Sequence, residues 1–139
     1  MAKLPLVYRV IAACVFALAS AAAQAALTVA IEMNPDPPRP GESIRALVTV
    51  GNDGAAVASV SLRATVPNGI STFLASSSNI APSGCNLTGP TSACDAGDTM
   101  TFSLGSLAAN SSTTVSLVFV VAAATPAGTV ITLPAEAVV

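Results

Sequence analysis

Cys85 and Cys94 carry the most definite chemistry in this 139-residue sequence. They are an even pair once Cys14, in the N-terminal apolar stretch, is set aside. In a chain bound for an oxidising compartment such a pair predicts a disulfide. The bridge would close a short loop around the turn-forming Thr88-Gly89-Pro90 and stabilise the fold by about 2–3 kcal/mol. The rival use of two thiols is a metal, but there is no histidine. Two cysteines alone leave a tetrahedral zinc shell incomplete, so no metal site is expected.

The other reactive side chains are carboxylates and hydroxyls. Asp95 and Asp98 flank Ala96-Gly97, and Asp53 sits in a Gly-Asn-Asp-Gly stretch. Aspartates in such settings serve turn geometry, and an acid/base pair would need two carboxyls facing across a cleft. A weak calcium site at Asp95 and Asp98 is the alternative, although the EF-hand spacing is missing. Serines cannot join a Ser-His-Asp triad without histidine. The single lysine, Lys3, lies at the extreme N-terminus, which removes Schiff-base and Ser-Lys chemistry from the rest of the chain. It also removes the lysine of a Lys–Asn isopeptide crosslink. No catalytic residue and no cofactor are expected, so the chain reads as a non-enzyme. Asn86-Leu87-Thr88 and Asn110-Ser111-Ser112 match glycosylation sequons, a triplet that Ser/Thr-rich loops produce by chance.

The segment preceding these residues is a targeting signal by its pattern. Lys3 and Arg9 form a positive n-region, Val10 to Ala19 an apolar h-region, and Ala23-Gln24-Ala25 a small-residue end. Cleavage is expected between Ala25 and Ala26, giving a signal peptide over 1–25 and one domain over 26–139. Three other readings exist. An uncleaved anchor is opposed by Ser20, Gln24 and Thr28. A lipoprotein signal at Cys14 is opposed by the few residues after Arg9 and by the apolar run continuing past the cysteine. A core helix is opposed by the n-region charges. Beyond the cut, three arginines (Arg39, Arg45, Arg63) face seven carboxylates, a net of −4. Such a surface has no phosphate-binding stripe, so nucleic acid is not an expected partner.

The remaining chain alternates with a period of two, the pattern of half-buried strands. Leu27, Val29, Ile31 and Met33 share a face, then four prolines between Asn34 and Gly41 break pairing. Further strands are expected over Ser43–Val50, over Val57–Val66 with Ala58, Val60, Leu62, Ala64 and Val66 inward, and over Ile70–Ser76. The stretch Ser77–Gly97 reads mainly as loop. Thr99–Leu104 follows, then a loop over Gly105–Ser112, then Thr113–Val121, whose second face is apolar too, as in a central strand. After the turn at Thr125-Pro126-Ala127-Gly128, a last strand begins at Thr129–Leu133. About seven short antiparallel strands predict an all-β sandwich of two packed sheets.

Several of these motifs resemble one bacterial family. Pro40-Gly41, Leu47-Val48-Thr49-Val50-Gly51-Asn52-Asp53-Gly54, Val66-Pro67-Asn68-Gly69-Ile70 and Phe102-Ser103-Leu104-Gly105-Ser106-Leu107-Ala108-Ala109-Asn110 are similar to the conserved-repeat, domain-of-unknown-function modules of bacterial and archaeal surface proteins. The likeness spans most of Pro40 to Val139. It implies an immunoglobulin-like sandwich at the cell surface. Antibody-type domains are not a close match, since tryptophan is absent and the only tyrosine, Tyr8, lies in the signal.

The function expected is that of a non-catalytic structural or interaction module, secreted or held in the cell envelope. Leu27–Met33 and Thr129–Val139 would join it to a protein partner or a second copy through sheet edges, with no membrane contact after signal cleavage. Both segments have a simpler use, completing the domain's own sheets. The alternative function is a small adhesin or carbohydrate-binding module. That class favours exposed aromatics, and the domain has only Phe73, Phe102 and Phe119.

Overall fold

Among the described residues, the alternation of apolar and polar side chains is realised as nine strands. The computed structural model describes residues 24–74, 78–85 and 93–139. Residues 1–23, which hold most of the expected signal peptide over 1–25 (its n-region, h-region and Ala23), lie outside the described residues, as do Thr88-Gly89-Pro90 and the first sequon. The strands are β1 (Leu27–Asn34), β2 (Ser43–Asn52), β3 (Val57–Thr65), β4 (Ile70–Leu74), β5 (Pro82–Ser83), β6 (Ala93–Cys94), β7 (Thr99–Leu107), β8 (Ser111–Val121) and β9 (Ala135–Val138). They form two antiparallel sheets, ordered β1-β2-β8-β4-β6 and β5-β7-β3-β9. This is the predicted all-β sandwich.

The core lies between the sheets. Ile44, Ala46, Val48 and Val50 point inward from β2, and Val115, Leu117, Phe119 and Val121 from β8. Val60, Leu62 and Ala64 of β3 and Met100 and Phe102 of β7 meet them from the other sheet. Phe73 and Phe119 are register partners on β4 and β8, with ring centroids 5.2 Å apart and tilted by 42°. A tilted aromatic pair adds about 0.5–1.5 kcal/mol beyond the area it buries. Val118 and Val120 are half-buried on the outer face of β8, which is central in its sheet.

The structure departs from the sequence expectations in four places. The register of β3 on β7 shifts between Val57 and Val60, so Val57 is buried and Ala58 is exposed rather than inward. An extra residue in one strand reverses the side-chain alternation beyond it. Strand β7 continues through Gly105 to Leu107, where a loop was expected, and only Ala108–Asn110 turns the chain. The expected loop over Ser77–Gly97 contains the short strands β5 and β6. The last strand is Ala135–Val138 rather than Thr129–Leu133. Ile131 and Leu133 are buried as their alternation predicts, but this backbone pairs with no strand among the described residues. Pairing starts only past Pro134, whose carbonyl accepts from Thr65 N–H at 2.9 Å.

Candidate functional site at the sides of the sandwich

The two sides of the sandwich are built differently. On one side lie β5 and β6, two residues each, at the margins of opposite sheets. Cys85 follows β5 and Cys94 belongs to β6, and the two form a disulfide with a Cα–Cα separation of 5.5 Å. The bridge joins one sheet to the other and is almost wholly buried. On the opposite side lie the first and last strands, β1 and β9, close to one another and in different sheets.

Among the described residues, strand β1 is the longest edge. Its pairing with β2 runs without a bulge from Leu27↔Asn52 to Asn34↔Arg45. Asp53 N–H donates to Ala26 O at 2.9 Å, and Ala55 N–H to Gln24 O at 3.3 Å, in the same register. In an antiparallel pair, backbone groups alternate between partner and open side. Even-numbered residues of β1 therefore bond to β2. The N–H and C=O groups of Leu27, Val29, Ile31 and Met33 point away from it. The side chains of these four face the sandwich interior but are only partly covered, and Ile31 is 37% exposed. Soluble proteins blunt such edges with proline, lysine, bulges or brevity. Strand β1 has none of these, and its only charge, Glu32, faces outward. The β9 edge is shorter. Pro134 O bonds to β3, so only Ala135 and Ala137 within that strand direct backbone groups outward.

The turn beside the N-terminal end of β1 is tightly built. A Cβ at Gly54 would collide with Gln24 O and Ala26 N, which is why glycine stands there. Asn52, fully buried, holds this turn to another one. Its two Nδ2 hydrogens are shared among Ala55 O at 2.7 Å, Ala108 O at 3.2 Å and Leu107 O at 3.3 Å, and its Oδ1 accepts from Gly54 N–H at 3.0 Å. Asn79 plays a related part at β8, where its amide accepts from Ser116 N–H at 2.8 Å and donates to Thr114 O at 2.9 Å. It occupies the place of a paired strand residue along a stretch of β8 that β4 does not reach. Sequence reasoning missed both asparagines, because Leu107 and Ala108 lie far along the chain from Asn52, and Thr114 and Ser116 far from Asn79.

The sequence-predicted carboxylates do not converge on a common centre. Asp98 Oδ2 accepts from Asp95 N–H at 2.9 Å and Asp98 N–H donates to Asp95 O at 3.0 Å, closing the turn between β6 and β7. Gly97 in that turn has a φ of 93°. Among the described residues, no three His, Cys, Asp or Glu side chains come together as a metal-sized group. A hollow of about 430 Å³ is lined by Arg63, Thr65, Thr99, Pro134, Ala135 and Glu136. Arg63 Nη1 and Glu136 Oε1 are 3.9 Å apart there, both more than half exposed, so solvent screens most of their attraction. Phe73, Phe102 and Phe119 are all buried, so none offers a stacking platform for a sugar.

No protein-family model and no curated protein matches this chain. Among the described residues, no helix is long and apolar enough to cross a membrane.

Proposed function

We propose that this chain is a non-catalytic, extracytoplasmic structural or interaction module that joins a bacterial surface or secreted assembly through its sheet edges. The observation that carries the reading is the unblunted β1 edge, with outward backbone groups at four residues and half-covered apolar side chains behind them. An extended strand recruits another through main-chain hydrogen bonds, and the alternate side chains supply selectivity. The immunoglobulin-like surface-module resemblance of Pro40–Val139 supports the same reading. The Cys85–Cys94 disulfide is compatible with an oxidising compartment outside the cytoplasm.

Two measurements on the exported protein test the reading. N-terminal sequencing after compartment fractionation is expected to find a chain beginning at Ala26 outside the cytoplasm. Light scattering and negative-stain imaging across a concentration series are expected to find species larger than one chain, or the chain retained with the envelope. A cytoplasmic chain with its N-terminal segment intact, or a freely soluble monomer at every concentration, would overturn it.

A further inference from the structure

The geometry points to a specific partner for the β1 edge: we propose that it pairs with β1 of a second copy, antiparallel, about a two-fold axis beside Ala30. This rests on the interaction-module reading and gives it an occupant and a register. The argument starts from backbone direction. The outward groups belong to Leu27, Val29, Ile31 and Met33. Two copies can bond only if these odd-numbered residues lie opposite one another. A closed two-fold pairing is also the commonest form of self-association.

One register uses all four residues. It sets Leu27 opposite the partner's Met33 and Val29 opposite the partner's Ile31, and symmetry repeats both pairs. Each is a hydrogen-bonded pair exchanging two N–H···O bonds. Sliding by one pleat in either direction leaves at least one outward residue unmatched. Side chains favour the same choice. On the interior face every contact is apolar on apolar, and Ile31, the most exposed of the four, gains the partner's Val29 across the seam. On the outer face Glu32 meets the partner's Thr28, and Ala30 meets the partner's Ala30 on the axis. The register centred on Glu32 would set two carboxylates opposite each other, which is unfavourable for like charges.

The result is a continuous sheet running from one protomer into its partner. The other margins do not offer this. Strands β5 and β6 are two residues long, and β9 directs only Ala135 and Ala137 outward. Pairing along β1 alone covers less than the roughly 1,200 Å² of a standard interface, so a concentration-dependent monomer–dimer equilibrium is expected rather than a permanent dimer.

The test uses the exported protein in sedimentation velocity from low micromolar to millimolar concentration. Ile31→Pro removes an N–H that points away from β2, so it is expected to weaken dimerisation at least tenfold while the thermal midpoint stays near that of the unsubstituted chain. Ala30→Cys places two exposed thiols face to face on the axis, and oxidation is expected to link them, whereas Thr28→Cys alone gives no linked dimer. Ile31→Lys, which puts a charge on the seam, covers the case in which proline disturbs folding. Crosslinking through Thr28→Cys but not Ala30→Cys overturns the register. A dimer unaffected by Ile31→Pro and Ile31→Lys overturns β1 as the edge while leaving the module reading intact. An unsubstituted chain that is monomeric throughout overturns the pairing, and fractionation with the envelope then reads the module proposal separately.

Discussion

Replacing Asn52 should destabilise this domain more than any other single polar substitution among the described residues, because it is the one polar side chain there that is fully buried. Asn52→Ala removes two N–H donors, shared among three carbonyl oxygens, and the Oδ1 acceptor of Gly54 N–H. Each is worth about 0.5–1.5 kcal/mol net, and a buried group left without a partner costs more. The bonds to Ala55 and Ala108 and from Gly54 are only part-buried, so water recovers some of the loss. The expected cost is about 2–4 kcal/mol. For a domain of about 114 residues the unfolding entropy is about 0.24 kcal/mol/K, so 3 kcal/mol lowers Tm by about 12 °C. Asn52→Asp keeps the shape but turns the donor into an acceptor facing three carbonyl oxygens. It should be worse than Asn52→Ala at neutral pH. Those carbonyls favour the protonated acid in the folded state, so its deficit should shrink as pH falls and the carboxyl protonates. Thermal and urea unfolding of the three proteins at pH 7 and pH 4 is the assay. An Asn52→Ala loss below about 0.5 kcal/mol, within the range of an ordinary surface change, would refute the assignment. So would an Asp variant as stable as wild type.

Other consequences are as direct. Reducing the disulfide, or Cys85→Ser with Cys94→Ser, reopens a loop of sequence separation 9. Loop-closure entropy then predicts a loss of about 2.7 kcal/mol, read as a lower urea midpoint with added reductant. Asn79→Ala frees Thr114 O and Ser116 N–H at an exposed site, and should cost about 0.5–1.5 kcal/mol and speed hydrogen exchange at Ser116. Phe119→Ala opens the centre of the core and breaks the contact with Phe73, with a cost of about 3–5 kcal/mol in chemical denaturation.

The sandwich was legible where alternation and pairing coincide. Strands β2 and β8 keep an unbroken period of two, and their inward residues are the buried ones. Legibility failed where an interruption is geometric. The bulge near Val57 leaves no mark in composition, so Ala58 reads as inward when Val57 is. Ile131 and Leu133 show that alternation reports burial and not pairing, since their backbone joins no sheet. The disulfide was legible because oxidised cysteines must find partners and only two were available. Asn52 was not, because Gly-Asn-Asp-Gly reads as a local turn, whereas its decisive acceptors lie at Leu107 and Ala108. Which of the terminal strands would be the long open edge was also hidden, because strand order in a sheet is a global property.

The hydrogen bonds tying Gln24 and Ala26 to residues 53–55 impose an order in time. A signal peptidase takes its substrate as an extended, unpaired chain, yet here the bond after Ala25 lies just ahead of β1, in a segment already hydrogen-bonded to residues 53–55. If the leader is cut at that bond, cutting has to outrun folding. The precursor would then cross unfolded, be trimmed, and only afterwards close β1 onto β2. Such a cut would also discard the Gln24 carbonyl, leaving Ala55 N–H to water and a new ammonium at Ala26, beside Gly54. A precursor that folded first would shield that bond, and the folding rate of this small sandwich would then act as a clock for any cut made there.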